Sequence, residues 1–325
     1  MNHHLRAAAL FVVLVACSST SEPLSDGASG AGSPGSSGGN GSNPSGGENG
    51  SPGGTSGGVV PPPAEGPRAG CKRGVAYGYH SEADMRALSK AVAWWYNWAF
   101  VPDDGVRDVF GSIGLEYVPM VWGANVDTLQ VQQRILPGAA TLLGFNEPNF
   151  HEQANMPATE AAARWPQVQA VADANGLRLV SPAVNFCGGG CHDTDPFAYL
   201  DDFFASCDGC RVDAIGVHLY VGCKGENGNH AQWMINHLKT FEARFPHPIW
   251  LTEFACDDAK SPEDQRAFLV DAVAYLESDP RIERYAWFAG RADNVAHVDL
   301  LGVDGQLTAL GRAYVDAPQN AACQP

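Results

Sequence analysis

From Ala69 onward, apolar strand-like runs alternate with helix-like stretches, and this leaves the chain few ways to fold. The runs cover residues 75–79, 92–98, 117–122, 141–145, 179–184, 214–220, 249–254 and 285–288. Helix signals lie between them. Ser81 with Asp84 reads as a cap with an acidic third position. Thr159 precedes Glu160-Ala161-Ala162-Ala163, and Gly176 closes that stretch. Ser261-Pro262-Glu263-Asp264 places a cap, a proline at the first helical position and an acidic first turn in succession. Such alternation over residues 67–325 predicts the α/β class and a single (β/α)8 TIM barrel, a fold that typically takes ~250 residues. A doubly wound open sheet is the structural alternative, but the glycine-rich nucleotide fingerprint of that fold is absent.

The segment before the barrel has a different character. Arg6 is followed by the apolar run 7–15 and then by Leu14-Val15-Ala16-Cys17. Residues 1–16 therefore read as an export signal, and Cys17 stands where a bacterial lipoprotein carries its lipid. The apolar run is too short to span a bilayer. Residues 17–66 form the lipidated cysteine and a Gly/Ser/Pro-rich linker, with 14 glycines between Gly27 and Gly58. Such a composition cannot bury enough apolar surface to offset its ordering entropy, so a flexible tether reaching about 35–42 Å is expected. The expected location is an outer membrane or a bacterial cell surface, with the membrane touched only through the lipid.

The net charge is −16. An acidic chain suits a neutral polymer and is a poor partner for nucleic acid. No phosphate-binding glycine loop is present. The protein is expected to act as a monomer, with no cofactor and no metal.

Two of the strand-like runs end in carboxylates. Residues 141–145 lead into Asn146-Glu147-Pro148, and residues 248–251 into Thr252-Glu253-Phe254. A carboxylate at the tip of an apolar strand is costly unless the tip opens into a polar site. Pro148 disfavours the α region at the residue before it, so Glu147 is expected to be extended. In a barrel the active face is the C-terminal end of the strands. Glu147 tops the fourth strand and Glu253 the seventh, with His218, Tyr220, Trp122 and Trp287 at or near the ends of their own strands. Paired carboxylates on one rim suit glycosidic bond cleavage. Two carboxylates side by side disfavour double ionisation, and the raised pKa is expected on Glu147. Each aromatic or histidine also has a plain packing reading. Trp122 stands between core and sugar platform, His218 suits a hydrogen-bonded core histidine, and mid-strand Trp250 reads as core. Trp95 and Trp98 face opposite sides of their strand.

Apart from Cys17, eight cysteines remain, an even set that favours disulfides in an exported chain. Cys187, Cys191, Cys207 and Cys210 superficially resemble a zinc site, but the first pair falls at the top of the barrel and the second at the bottom. At ~1.5 Å per residue the intervening helix holds them too far apart for one metal. The same sorting puts Cys223 and Cys256 at the top and Cys71 and Cys323 at the bottom. The favoured pairing, among 105 possible, is 71–323, 187–191, 207–210 and 223–256.

With these residues in view, the chain resembles glycoside hydrolase family 128, within clan A of the retaining glycosidases. The likeness rests on Arg73-Gly74-Val75-Ala76-Tyr77, Trp95-Tyr96-Asn97-Trp98, Gly144-Phe145-Asn146-Glu147-Pro148, Ser181-Pro182-Ala183, residues 207–213, Val217-His218-Leu219-Tyr220 and Trp250-Leu251-Thr252-Glu253-Phe254. The resemblance implies a short-helix barrel and an endo-β-1,3-glucanase acting by double displacement. Glu147 would be the acid/base and Glu253 the nucleophile. Asn146 would bind the sugar 2-hydroxyl, Tyr220 would contact Glu253, and Trp287 would be a sugar platform. His218, Trp122 and Asn97 complete the expected substrate-binding set. The alternatives are a clan A hydrolase of mannan, xylan or cellulose, and a non-catalytic glycan-binding surface lipoprotein.

Overall fold

The computed structural model describes residues 70–323. The expected signal segment, Cys17 and the whole of the tether lie outside the described residues.

Eight strands alternate with eight helices. In chain order they are β1 (Arg73–Ala76), α1 (Glu82–Leu88), β2 (Trp94–Tyr96), α2 (Phe110–Ile113), β3 (Glu116–Tyr117), α3 (Thr128–Arg134), β4 (Thr141–Leu143), α4 (Ala158–Asn175), β5 (Arg178–Val180), α5 (Pro196–Ser206), β6 (Ile215–Val221), α6 (Gln232–Arg244), β7 (Ile249–Cys256), α7 (Pro262–Ser278), β8 (Ile282–Phe288) and α8 (Ala309–Asp316). Six strands pair in the order β3-β2-β1-β8-β7-β6, and β4 pairs with β5. The strand pairings are parallel. Single parallel bridges complete the ring, Met120 to Leu143 between β3 and β4 and Val180 to Ala214 between β5 and β6. The result is the (β/α)8 barrel. It is a short-helix variant, because α1 and α3 have 7 residues each and α2 only 4.

Several strands are shorter than the apolar runs that announce them. β3 stops at Tyr117 and β5 at Val180. Pro119 and Pro182 follow, and a proline has no N–H to give to a ladder. Pairing resumes beyond each as single bridges, Met120 to Leu143 and Asn146 to Ala183. β4 ends at Leu143, and Gly144 follows it. A Cβ on Gly144 would lie 2.7 Å from the Trp165 ring and 2.9 Å from the Val180 carbonyl oxygen. Only a glycine lets α4 pack this closely against the strand that delivers Asn146 and Glu147.

The caps follow the sequence at two helices and depart from it at one. Ser81 accepts from the Asp84 amide at 3.1 Å, and Asp84 accepts in return from the Ser81 amide at 3.2 Å. Ser261 accepts from the Asp264 amide at 3.2 Å. α4 begins before Thr159, at Ala158, with Pro157 at its N-cap. The fixed φ of proline pre-sets the entry to the helix without a side-chain cap.

The base of the barrel is polar but closed. Arg284 meets Glu116 at 2.6 Å, and its guanidinium lies 5.6 Å from the Trp94 ring centroid and 4.8 Å from that of Trp250. Trp94 and Trp250 touch across the interior from non-adjacent strands, so both are core. Arg73 opens β1 and is 1 % exposed. It donates to the Tyr285 hydroxyl at 2.8 Å, to the carbonyls of Tyr314 (2.7 Å), Ala317 (3.1 Å) and Pro318 (2.7 Å), and to Glu277 at 3.1 Å. It therefore ties the first strand to α7, β8 and the end of α8.

The disulfides join Cys71 to Cys323, Cys187 to Cys191, Cys207 to Cys210, and Cys223 to Cys256. Each bridge stays at one end of the barrel.

Candidate active site

The top of the barrel gathers both glutamates. Glu147 is 6 % exposed and Glu253 is 5 % exposed. A carboxylate oxygen of each and a nitrogen of His218 all lie within 4.8 Å of one another.

Glu253 lies within β7, where the pairing with β6 steps from Leu251 to Glu253 and skips Thr252. This bulge breaks the strict alternation and brings Glu253 to the interior face that Trp250 also uses. Tyr96 and Trp98 of the β2 segment reach it across the interior. The Tyr96 hydroxyl and the Trp98 indole N–H each donate to Oε1 at 2.8 Å. Tyr220 at the end of β6 donates to Oε2 at 2.5 Å. Burial keeps the Tyr96 and Tyr220 hydroxyls protonated, reinforced by the charge of Glu253. An ionised carboxylate, which only accepts, can take all three of these hydrogen bonds.

Glu147 departs from its expected backbone. Its φ is 39°, in the left-handed region, where extended geometry was expected. Its amide donates to Ala183 O at 2.8 Å while its carbonyl accepts from Phe150 N at 3.0 Å, so the chain turns sharply at this residue. The proline at 148 disfavours the right-handed helical region but does not force extension. Trp98 also has a positive φ, 60°. Non-glycine residues held there cost on the order of 1–3 kcal/mol each, and they concentrate where a side chain must be aimed. Here both side chains enter the same site. Glu147 Oε1 is met by Asn185 Nδ2 at 3.1 Å and His218 Nδ1 at 2.9 Å. Among the described residues Oε2 has no hydrogen-bond partner and is left to the cleft.

His218 is fully buried, so the expected substrate contact is not where the structure puts it. It stands between the carboxylates, with Nε2 3.5 Å from Glu253. Burial pulls its pKa down, but the charge of Glu253 and the hydrogen bond and charge of Glu147 outweigh burial and raise it. The raised carboxyl is that of Glu253. Burial is the main cause and Glu147 adds to it, while His218, Tyr220 and Trp98 act in the opposite sense. The raised carboxyl expected of two neighbouring carboxylates is thus met at the β7 glutamate.

Asn146 is 3 % exposed and gives Nδ2 to Gln153 at 3.2 Å. Its Oδ1 is buried with no partner among the described residues. Trp122 is half-buried beside β4, and its carbonyl accepts from Asn146 N at 2.9 Å.

Two expected substrate contacts lie elsewhere. Trp287 is 0 % exposed and packs on Phe254, Phe268 and Tyr314, with its N–H bound to the Val298 carbonyl at 2.8 Å. It faces the helices, and the next residue, Phe288, faces the cleft against Trp98 and Tyr220. Asn97 is occupied by its own loop. Its Nδ2 donates to Val101 O at 3.2 Å, and its Oδ1 accepts from the Ala99 amide and the Tyr117 hydroxyl. Sequence reasoning missed Tyr96, Trp98, Asn185 and Phe288. Strict alternation through 94–98 would have put Tyr96 and Trp98 on the inward face with Trp94.

A family profile described as glycosyl hydrolase catalytic core matches residues 74–314. The chain is 64% identical to a family 128, subgroup II, endo-β-1,3-glucanase from Sorangium cellulosum, covering 77% of this chain and 100% of that one with a TM-score of 0.76. A subgroup II endo-β-1,3-glucanase from Pseudomonas viridiflava is 36% identical, with 77% and 98% covered and a TM-score of 0.67. Alkali-sensitive linkage protein 1 of Schizosaccharomyces pombe is 30% identical over 258 residues, which is 75% of this chain. The chain spans 44% of the length of that curated relative.

Proposed function

Since the chain belongs to glycoside hydrolase family 128, we propose that it hydrolyses β-1,3-glucan by retaining double displacement. The observation that carries this reading is the placement of carboxylate oxygens of Glu147 and Glu253 within 4.8 Å of each other. A retaining pair works at about 5–5.5 Å, whereas an inverting pair stands ~6.5–9.5 Å apart to admit a water. Glu253, held by three donors, attacks the anomeric carbon and expels the glycosidic oxygen. Glu147 gives that oxygen its proton through the free Oε2 and then takes a proton from the incoming water. Asn146, next to Glu147, meets the sugar 2-hydroxyl, and Trp122 borders the bound chain. His218 holds Glu147 in place through a hydrogen bond and lies 3.5 Å from Glu253.

The test is reducing-end release from a panel of β-1,3-glucan, mannan, xylan and cellulose, with the product anomer read by NMR. β-Anomer release from β-1,3-glucan alone is expected. Release from a different polymer would move the substrate assignment within clan A, and binding with no release from any would favour the non-catalytic reading.

The pH profile gives a second test. Glu253 must be ionised to attack, so rate falls as pH falls through its raised pKa. The hydrogen bond from Tyr220 favours the ionised form and lowers that pKa. Tyr220→Phe is therefore expected to shift the acid limb to higher pH and to cost roughly 10- to 100-fold in kcat, the worth of a hydrogen bond to a charged group. A limb that stays in place would separate Tyr220 from the titration of Glu253.

The bridges fit an oxidising, extracytoplasmic compartment. Among the described residues no helix is long and apolar enough to cross a membrane. The Leu14-Val15-Ala16-Cys17 string supports lipid anchoring, with the barrel spanning 67–325 beyond its tether. Cys17→Ser is expected to release active protein from the membrane fraction. Variant protein that stays membrane-bound after signal cleavage would remove the anchor.

A further inference from the structure

We propose that Trp233 is a stacking platform for a sugar unit of the same glucan chain, beyond the unit held over the two glutamates. The inference rests on the hydrolase reading. Two aromatic side chains among the described residues stand out for exposure, Tyr79 at 73 % and Trp233 at 47 %. Both lie at the end of the barrel that carries Glu147 and Glu253. Tyr79 follows β1 and gives its amide to Asp103 at 2.7 Å. Trp233 is the second residue of α6, at the helix end nearest the tip of β6.

The helix does not need this indole for its own packing. α6 buries Met234, Ile235, Leu238 and Phe241, and Trp233 points to another side. Its ring lies instead over the backbone just beyond β6. A Cβ on Gly222 would stand 3.0 Å from Cζ3 of the indole. That glycine lies two residues past Tyr220, the donor to Glu253. At ~3.3 Å per residue it is about 7 Å further along the strand direction. The platform is thus connected to the reacting centre through one short backbone segment.

The segment is also fixed. Cys223, next to Gly222, is bridged to Cys256 at the end of β7. The Cys223 amide donates to Asp258 Oδ1 at 2.9 Å. Asp258 Oδ2 lies 3.3 Å from the position of a Gly222 Cβ, beside the indole. An exposed aromatic anchored in a helix and lying against a pinned segment binds at little ordering cost. A β-linked pyranose presents axial C–H bonds on its face, and the negative face of an indole attracts those weakly positive hydrogens. Asp258 is placed to accept from an equatorial hydroxyl of the same unit.

The experiment compares wild type, Trp233→Ala, Trp233→Phe and Gly222→Ala on β-1,3-gluco-oligosaccharides of increasing length, labelled at the reducing end. For Trp233→Ala, KM on long chains is expected to rise roughly 3- to 10-fold, the worth of one aromatic stack. The penalty should shrink as chains shorten, and the labelled cleavage pattern should shift. Trp233→Phe should recover most of the loss. Gly222→Ala, whose new methyl pushes the ring aside, should move KM in the same direction as Trp233→Ala. Unchanged KM and pattern in Trp233→Ala would overturn the platform. An equal loss at every chain length, tracking a lowered melting temperature, would overturn it as well by making Trp233 a packing residue. A wild type inactive on every β-1,3-glucan would instead overturn the hydrolase reading and the platform with it.

Discussion

Glu253→Gly is expected to lose activity on the polymer by on the order of 10⁴- to 10⁶-fold, and azide should restore turnover of an activated β-glucoside with inversion. The variant lacks the carboxylate that forms the bond to the anomeric carbon and leaves space beneath it. Azide entering that space attacks from the α face while the activated leaving group departs, giving the α-azide. Glu147→Gly should behave oppositely. An activated leaving group needs no proton, so Glu253 still forms the glycosyl-enzyme. Azide then approaches from the β face, where Glu147 stood, displaces Glu253 and gives the β-azide. The asymmetry follows because each carboxylate serves one face of the sugar. NMR of the azide products decides it. Exchanged products would swap the two roles, and wild-type rates in either variant would remove that glutamate from the mechanism.

Arg73→Met is expected to destabilise the barrel by about 3–5 kcal/mol. The guanidinium is 1 % exposed and serves a hydroxyl, a carboxylate and three carbonyl oxygens. Methionine fills much of the volume but donates nothing. Glu277 would then keep only the Tyr285 hydroxyl of this pair, at 2.6 Å, and the carbonyls at the end of α8 would lose their donor. Urea denaturation of the purified protein measures the change. Arg73→Lys should recover part of it, since an ammonium supplies charge but not the planar fork that spans these acceptors. A loss below about 1 kcal/mol for Arg73→Met would mean that the base of the barrel is held by packing alone.

What the sequence made legible, and what it hid, divides along physical lines. Carboxylates at the tips of apolar runs were visible, because a buried charge needs a reason that can be read from composition alone. Alternation of strand and helix signals was visible for the same local reason. Register was harder. Trp287 and Phe288 are neighbours, and a shift of one residue reverses which of them faces the cleft. Asn97 has the chemistry of a sugar ligand, but its loop uses its amide first. Tyr96 and Trp98 reach Glu253 from 157 and 155 positions away, and no local pattern announces such a contact. Glu147 shows the limit of a conformational rule. A following proline restricted its backbone, and the site then selected a left-handed geometry that the rule does not forbid.

The Cys71–Cys323 bridge spans 252 positions and encloses nearly the whole described domain. Topologically the barrel is a closed loop of covalent bonds, not a thread with two ends. A protease that cuts once in any rim loop between these cysteines opens the loop but releases no fragment. The two pieces stay linked, and strands from both remain paired around the ring. Wherever proteases are present, a single nick is an injury this domain can carry without coming apart.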